Sequence, residues 1–311
     1  MSDLLGAVGR GLSVFCLLLV STSCGVKKIP LPEVPAASGP EVLERGRYLA
    51  EHVMGCLDCH SKRDWTKYAG PVIDENRGGG GEAWGEEMGL PGTVVASNIT
   101  PAALGDWSDA EIARAIGSGV SRDGKALFPI MPYQVQRVAD PEDLAAVIAY
   151  LRTLEPVEAI PPRSKIKFPV KYFINKVPDL PAPTKRPDPS DSVATGKYLT
   201  ALAGCTDCHT PMKGSHRDES RYMDGGWEMV VPGGAKVPVP AIHAGESDGI
   251  GDWDRDDFID AFTDFAAAPD RALAEGETQT PMPWKLYGGM TREDLGAIFD
   301  YLKTVPAPAE K

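Results

Sequence analysis

Two short motifs in this 311-residue chain combine side chains that can bind a cofactor covalently and ligate its metal. They read Cys56-Leu57-Asp58-Cys59-His60 and Cys205-Thr206-Asp207-Cys208-His209. In C-x-x-C-H, the attachment signature of c-type haem, two thiols about one helical turn apart can reach both porphyrin vinyl groups, and the adjacent histidine can ligate the iron. We therefore predict two covalently bound haem c groups, held by Cys56, Cys59, Cys205 and Cys208, with His60 and His209 as axial ligands.

Three other roles of these cysteines are compatible with the sequence. A thioredoxin-like redox pair needs only C-x-x-C near a βαβ pattern and leaves both histidines without a role. Zinc could use two such pairs, but they lie 149 residues apart, outside ordinary finger spacing. Disulfides are compatible with an exported protein, although C-x-x-C pairs rarely form the structural disulfides of a fold. The histidine that follows each pair favours haem.

The motifs belong to a longer internal repeat. Gly46-Arg47-Tyr48-Leu49 recurs as Gly196-Lys197-Tyr198-Leu199, and Gly105-Asp106-Trp107 recurs as Gly251-Asp252-Trp253. Pro129-Ile130-Met131-Pro132 is echoed by Pro281-Met282-Pro283, and the segment from Asp143 to Leu154 by the segment from Asp294 to Val305. Because the order is the same in both halves, we predict a tandem duplication with one haem domain at residues 40–160 and another at 191–311.

Helix signals recur at matching places in the two halves. Asp140 as N-cap before Pro141 starts one apolar stripe at helical spacing, and Thr291 starts its counterpart. Ser108 with Glu111 forms a capping box, and Asp254 caps the equivalent helix. Each domain is thus expected to be mostly α, with a few helices and long loops. Gly46 and Gly196 either let another helix cross closely or merely weaken their own helices.

A haem iron with one histidine needs a sixth ligand, a water or an open position, and this choice separates electron carriers from catalysts. Met131 lies 71 residues after His60, and Met282 lies 73 residues after His209; both sit among prolines that restrict the loop. We predict these two methionines as the axial ligands. The competitors are Met88, His52, Met212, Met223, Met229, Met290, His216 and His243, of which His243 is the strongest because it falls near the position of Asn98.

The N-terminus has the layout of a secretory signal. Arg10 precedes an apolar run from Gly11 to Val20, which is shorter than the about 20 residues needed to span a bilayer. The context of Cys24 resembles a bacterial lipobox, although Ser21 stands where that pattern has Leu, Val or Ile. We expect a signal at residues 1–23 that contains Cys16, lipidation at Cys24, a Pro-rich tether at 24–39, and a location on the periplasmic side of a membrane.

Acidic residues exceed basic ones by 12, which argues against nucleic acid as a partner and against attachment to anionic lipid by charge, and favours a redox protein with a basic face. Residues 40–160 carry a net charge of −8 and residues 191–311 carry −10, whereas the Pro-rich linker 161–190 carries +5. That linker is either a solvated extended chain or lies across the domain interface and pairs with propionates or acidic loops. Residues 74–92 are expected to form a surface loop.

The sequence resembles class I cytochromes c, and more closely the tandem dihaem cytochromes related to cytochrome subunits of bacterial periplasmic dehydrogenases. The likeness rests on Ser97-Asn98-Ile99-Thr100-Pro101, Gly105-Asp106-Trp107, Met131-Pro132-Tyr133 and the segment from Ala149 to Leu154. The chain departs from the family pattern in three respects. The second half has Trp284 where the first half has Tyr133, the second half lacks the Asn-Ile-Thr segment, and the sequence has no third haem motif. The resemblance implies helices wrapped around each haem, His/Met ligation, and electron transfer without bond chemistry.

We therefore expect an electron carrier with no catalytic residues and no small-molecule substrate, passing single electrons from a dehydrogenase or quinol-oxidising complex to a terminal acceptor. Two alternatives stay open. A dihaem peroxidase would need one iron to lose its sixth ligand, and a docking subunit would serve a larger respiratory assembly. Trp107 and Trp253 are either neighbours of the haems or plain core aromatics.

Overall fold

The computed structural model describes residues 25–214 and 216–309. The signal residues 1–23 and Cys24 lie outside this range. The prediction of a mostly α chain is confirmed. The helices are α1 (Pro40–Tyr48), α2 (Cys56–Cys59), α3 (Pro101–Leu104), α4 (Asp109–Ser118), α5 (Tyr133–Gln136), α6 (Pro141–Leu151), α7 (Val170–Phe173), α8 (Ser192–Leu202), α9 (Cys205–His209), α10 (Arg255–Ala267), α11 (Trp284–Tyr287) and α12 (Arg292–Leu302). A π-helical turn, Leu49–Val53, continues α1 towards α2.

Short antiparallel strands lie in the segments between the helices. They are β1 (Ala83–Trp84), β2 (Gly92–Val95), β3 (Lys165–Ile166), β4 (Met212–Lys213), β5 (His216–Arg217), β6 (Trp227–Val230) and β7 (Lys236–Val239). β2 pairs with β1 and with β3, so the linker contributes a strand to the first half. The other sheets are the two-stranded pairs β4 with β5 and β6 with β7.

The helix starts follow the capping residues that the sequence predicts. Asp140 accepts a hydrogen bond from the backbone N–H of Glu142 at the start of α6, and Thr291 caps α12 through Asp294. Ser108 and Asp254 form capping boxes at α4 and α10. These caps fix where the longest helices begin.

Glycine permits a close helix crossing in each half. A β-carbon at Gly46 of α1 would overlap the backbone carbonyl of Ala146 in α6. A β-carbon at Gly196 of α8 would overlap the carbonyl of Ala297 in α12. Of the two interpretations of these glycines, the close crossing is confirmed, and the two crossings place the segments before each cysteine motif against the last helix of the same half.

The two halves share one continuous hydrophobic core, and equivalent tyrosines tie them together. Tyr48 of α1 donates to Asp294 Oδ2 of α12 at 2.5 Å. Tyr198 of α8 donates to Asp143 Oδ2 of α6 at 2.9 Å and accepts from the Asp140 N–H at 3.0 Å. Each half thus anchors its first helix to the N-terminus of the last helix of the other half.

The basic linker packs on acidic groups at this interface. Arg186 Nη1 lies 2.7 Å from Asp143 Oδ1, and Lys185 Nζ lies 3.3 Å from Asp140 Oδ2. The backbone N–H of Thr184 donates to Val138. Of the two interpretations of the linker, these contacts support pairing with acidic groups, although most of its side chains are exposed.

Residues 25–39, expected as a tether, also pack against the body. Ile29 is buried and Val34 packs against the core. Lys27 Nζ makes an ion pair with Asp179 Oδ1 at 2.7 Å. A bilayer-crossing helix is absent from the part of the chain that the structure describes.

Candidate functional site

Both cysteine motifs form one helical turn, α2 and α9. Each turn follows a glycine in the left-handed region, Gly55 with φ 65° and Gly204 with φ 71°. The four cysteines are half-buried and are not joined in disulfides. Within each motif, the two thiols therefore lie one turn apart at the margin of the core, as covalent attachment to one porphyrin requires.

The thiol environment argues against a reactive redox pair. Burial raises the pKa of Cys56, Cys59 and Cys205 to about 12 and that of Cys208 to about 11. Redox-active C-x-x-C cysteines have a lowered pKa instead. In residues 25–214 and 216–309, the one group of three or more His, Cys, Asp or Glu side chains close enough to share a metal ion is Asp224, His243 and Asp248, so the cysteines are not grouped as a zinc site built on them requires.

The two histidines are oriented in the same way. His60 Nδ1 lies 2.7 Å from the carbonyl of Ser97, and His209 Nδ1 lies 2.8 Å from the carbonyl of Pro240. A carbonyl only accepts, so Nδ1 carries the proton and Nε2 keeps its lone pair. Burial lowers the pKa of both imidazoles, which keeps them neutral. This is the arrangement in which a second hydrogen bond orients a metal-ligating histidine.

The backbone behind each histidine is held by matched contacts. Gly80 N–H donates to the carbonyl of His60 at 2.7 Å, and Gly225 N–H donates to the carbonyl of His209 at 2.8 Å. The loop expected at residues 74–92 thus has a structural role in its glycine segment, beside β1 and β2. The aspartate in each motif also makes an ion pair with an arginine, Asp58 with Arg63 and Asp207 with Arg217. Burial raises the pKa of Asp207 to about 6.

Met131 and Met282 occupy equivalent turns. Both are partly buried and pack against the core. Tyr133 N–H donates to the carbonyl of Met131 at 2.8 Å, and Trp284 N–H donates to that of Met282 at 2.9 Å. Each methionine therefore precedes a short helix, α5 or α11, by the same turn, and their axial roles stay predictions.

The competing methionines and histidines have other surroundings. Met223 and Met290 are buried core residues, and Met212 is 57 % exposed. Met88 and Met229 are half-buried in the 3-10 turn Glu86–Met88 and in β6, and His216 is exposed in β5.

His243 is fully buried and is turned towards carboxylates. Its Nδ1 accepts from the N–H of Gly245 at 3.0 Å, so the proton sits on Nε2, which faces Asp224 Oδ1 at 3.4 Å. A nitrogen that carries a proton has no lone pair for a metal. By its backbone contacts His243 corresponds to Thr100, two positions from Asn98, since Ile242 and Ile99 donate to Met223 and Gly78 in the same way. His52 packs its ring against the backbone of Gly289 from the other half.

The motif regions face each other across the interface. Leu286 Cδ1 would lie 3.1 Å from a β-carbon at Gly55, and Val135 Cγ2 would lie 3.7 Å from one at Gly204. Leu286 and Val135 hold equivalent places four residues after Met282 and Met131. The short helix that follows the methionine turn of each half therefore packs against the residue before the cysteine motif of the other half.

One aromatic residue breaks the symmetry between the two halves. Gln136 Nε2 donates to the Met54 carbonyl at 3.1 Å, and at the equivalent place Tyr287 donates to the Ala203 carbonyl at 2.6 Å. Burial raises the pKa of Tyr287 well above its usual value, and the nearby thiols of Cys205, Cys208 and Cys59 add to that effect. The phenol thus lies near thiols of both cysteine motifs.

Several of these residues are not evident from the motifs. The paired aspartates in the third position of both motifs and the tyrosines of the Gly-x-Tyr-Leu repeat recur, and this recurrence is the signal that could have identified them. The carbonyls of Ser97 and Pro240 carry no such signal. Trp253, considered as a haem neighbour, is 43 % exposed, whereas Trp107 is half-buried against the core.

The arrangement fits covalently attached haem, since each half offers paired thiols and a neutral histidine with a free Nε2. Residues 193–306 match the model of the cytochrome c family. The chain is 28 % identical to the gluconate 2-dehydrogenase cytochrome c subunit of Pantoea cypripedii over 86 % of its own length and 60 % of that protein. It is 25 % identical to the cytochrome c subunit of a quinone-dependent alcohol dehydrogenase of Gluconobacter oxydans, over 94 % of this chain and 60 % of that protein.

A third relative has a similar length. The dihaem cytochrome c-type protein of Cereibacter sphaeroides is 28 % identical over 81 % of this chain and 82 % of that protein. The chain thus spans about 60 % of the two dehydrogenase subunits and most of the dihaem protein. It is related over most of its length to cytochrome c subunits of dehydrogenases and to a dihaem cytochrome, and its residues 193–306 match the cytochrome c family.

Proposed function

We propose that the chain consists of two tandem class I cytochrome c domains, residues 40–160 and 191–311, which relay single electrons. The observation that carries the proposal is the duplicated site: each half presents two thiols one turn apart and a histidine whose Nδ1 is bound to a carbonyl. Bound haem would supply an iron that gains and loses one electron without breaking bonds.

The chain's own residues would hold each haem in the same way. Cys56 and Cys59 would form thioether bonds in the first half, and Cys205 and Cys208 in the second. His60 and His209 would be the proximal ligands through Nε2. Met131 and Met282 would fill the sixth positions, which raises the reduction potential relative to two histidines and leaves no open site for peroxide.

The interface supports transfer between the two sites. The short helix after the methionine turn of each half packs on the residue before the other cysteine motif, and Tyr287 lies near thiols of both motifs. Because the two motif regions are packed together, an electron would have only a short distance to cross between them. Donor and acceptor would be redox proteins: the relatives suggest a dehydrogenase as donor, and the acidic halves favour an acceptor or donor with a basic face, on the periplasmic side of a membrane.

The sixth ligands provide the test. In the haem-loaded protein, Met131→Ala should lower the reduction potential of one haem and abolish its Met-to-iron absorption band, while the other haem stays as it was. Met282→Ala should affect the other haem in the same way. Met212→Ala, which alters a methionine that is 57 % exposed, is the matched control and should leave both potentials unchanged.

The alternatives predict other results. A high-spin haem and peroxide turnover in the unaltered protein would identify a dihaem peroxidase. Potentials that do not change in either methionine variant would show that the axial assignments are wrong. Isolation from membranes as a fixed member of a larger complex, with no electron exchange in the free protein, would favour a docking subunit.

A further inference from the structure

Exposed aromatic residues are concentrated in one short segment of the linker. Phe168, Tyr172 and Phe173 are 77 %, 47 % and 58 % exposed. Among the described residues, the one other large aromatic side chain with comparable exposure is Trp253. Exposed apolar groups that cluster in this way mark a surface that binds a partner or a membrane.

The same segment is basic in an otherwise acidic protein. Residues 165–176 include Lys165, Lys167, Lys171 and Lys176, all exposed, and no acidic residue. The two halves carry −8 and −10. Lys167 Nζ is paired with Glu86 at 2.5 Å, but both side chains are about 60 % exposed and such surface pairs exchange readily with other partners.

Lysines and aromatic rings alternate over the helical turn of α7. Lys171 Nζ lies 5.0 Å from the centre of the Tyr172 ring, and the rings of Phe168 and Tyr172 meet edge-on at 6.0 Å. Ammonium groups can therefore contact phosphates while the adjacent rings enter the interfacial layer. Aromatic residues are enriched at this depth of membranes, and clustered lysines bind anionic lipid.

The position of the N-terminal segment selects a membrane as the occupant. Lys27, two residues after the first described residue, pairs with Asp179 three residues beyond the basic segment. The buried Ile29 fixes this approach. The apolar run Gly11–Val20 and Cys24 precede this point in the sequence. Attachment of that end to a bilayer would therefore hold the neighbouring residues 165–176 near the membrane.

We propose that residues 165–176 form a membrane-docking surface that binds bilayers containing anionic lipid through their lysines and exposed aromatic rings. The net charge of −12 does not prevent this, because interactions between exposed charges are largely screened beyond about 8 Å at physiological ionic strength. Net charge alone, which argues against attachment to anionic lipid, therefore misses a local basic surface. The docking does not depend on the electron-relay proposal.

The test uses haem-loaded protein that begins at residue 24 and carries Cys24→Ser, so that no lipid chain contributes. Flotation with vesicles of phosphatidylcholine alone should recover little protein. Vesicles that also contain phosphatidylglycerol should recover much more, and added salt should reverse the binding. The double variant Lys167→Glu with Lys171→Glu should weaken binding by on the order of tenfold or more.

A second variant tests the contribution of the aromatic rings, and control variants elsewhere on the surface match the lysine and the aromatic substitutions. Phe168→Ser with Phe173→Ser should weaken binding to anionic vesicles and make the remainder more sensitive to salt. Lys213→Glu with Lys236→Glu, which alters exposed lysines of the second half, and Trp253→Ser should bind like the parent protein. Haem spectra and reduction potentials should be unchanged in all variants, so a failure of docking is separate from a failure of the relay.

Several results would overturn the proposal. These are no preference for anionic vesicles, equal losses in the control variants, or unchanged vesicle binding in both segment variants. Slower electron exchange with an acidic soluble partner, together with unchanged vesicle binding, would assign the segment to a protein partner instead.

Discussion

Removing the Tyr198 hydroxyl should destabilise the fold more than any other single hydroxyl deletion at the interface. In Tyr198→Phe, Asp143 loses a hydrogen bond of 2.9 Å and the buried N–H of Asp140 loses its acceptor at 3.0 Å. A hydrogen bond to a charged group contributes about 1.5–3 kcal/mol, and a buried donor left unpaired costs ~1–3 kcal/mol. Asp143 keeps Arg45 and Arg186 as partners, so we expect a loss of about 3 kcal/mol.

Tyr48→Phe is the matched comparison, because Tyr48 occupies the equivalent place in the repeat. Its hydroxyl donates to Asp294 and accepts from the Thr291 N–H at 3.3 Å. Tyr48 and Asp294 are half-buried and Thr291 is exposed, so water can replace the lost group. We expect a loss of ~1 kcal/mol, near the mean for a single hydrogen bond.

Urea unfolding of the haem-loaded proteins measures both losses. Circular dichroism reports the helices and the haem absorbance reports the sites, and coincident transitions justify a two-state treatment. The expected order is parent, then Tyr48→Phe, then Tyr198→Phe. Equal losses in the two variants, or a loss in Tyr198→Phe within about 0.5 kcal/mol of zero, would refute the assignment of this interface.

Other parts of the structure make further predictions. Gly196→Ala should lower the free energy of unfolding by ~1–3 kcal/mol or more, because the new β-carbon meets the rigid carbonyl of Ala297. Gly117→Ala, whose β-carbon meets no other atom within 4 Å, should be neutral or stabilising. Equal effects of the two variants in thermal or urea unfolding would contradict the close crossing. Burial opposes ionisation of Asp140, but the backbone N–H groups of Arg186 and Glu142, together with Lys185, lower its pKa. Its charge therefore stabilises the fold above about pH 4 and this contribution is lost as the pH falls through the lowered pKa. Asp140→Asn keeps the helix cap and should flatten the acid limb of the stability profile; an unchanged acid limb would show that another group controls it. Tyr287→Phe keeps the ring and removes one hydrogen bond, so the unfolding free energy should fall by ~1 kcal/mol while both haems remain attached; haem loss would show that the hydroxyl does more than tie α11 to the segment before Cys205.

Local chemistry made much of the fold predictable. Asp140 before Pro141, and Ser108 with Glu111, satisfy backbone donors within a few residues, so the sequence around them determines where the helices begin. The cysteine motifs are equally local. Gly46 and Gly196 could be interpreted because they recur at the same distance before each motif.

Contacts between distant segments were not predictable in the same way. The Tyr48 hydroxyl meets a carboxylate 246 residues away, and the carbonyls that orient His60 and His209 belong to the backbone, which any residue type provides. Composition describes how the Pro-rich segments behave alone. Composition does not show that Ile29 is buried or that Arg186 makes an ion pair with the buried carboxylate of Asp143.

The number of attached haems can be read from the mass of the mature protein under denaturing conditions. We expect a polypeptide that carries two covalently attached haems, and one haem after Cys205→Ala with Cys208→Ala. A mass with fewer than two added haems, or haem that is extracted by acidified organic solvent, would contradict this expectation.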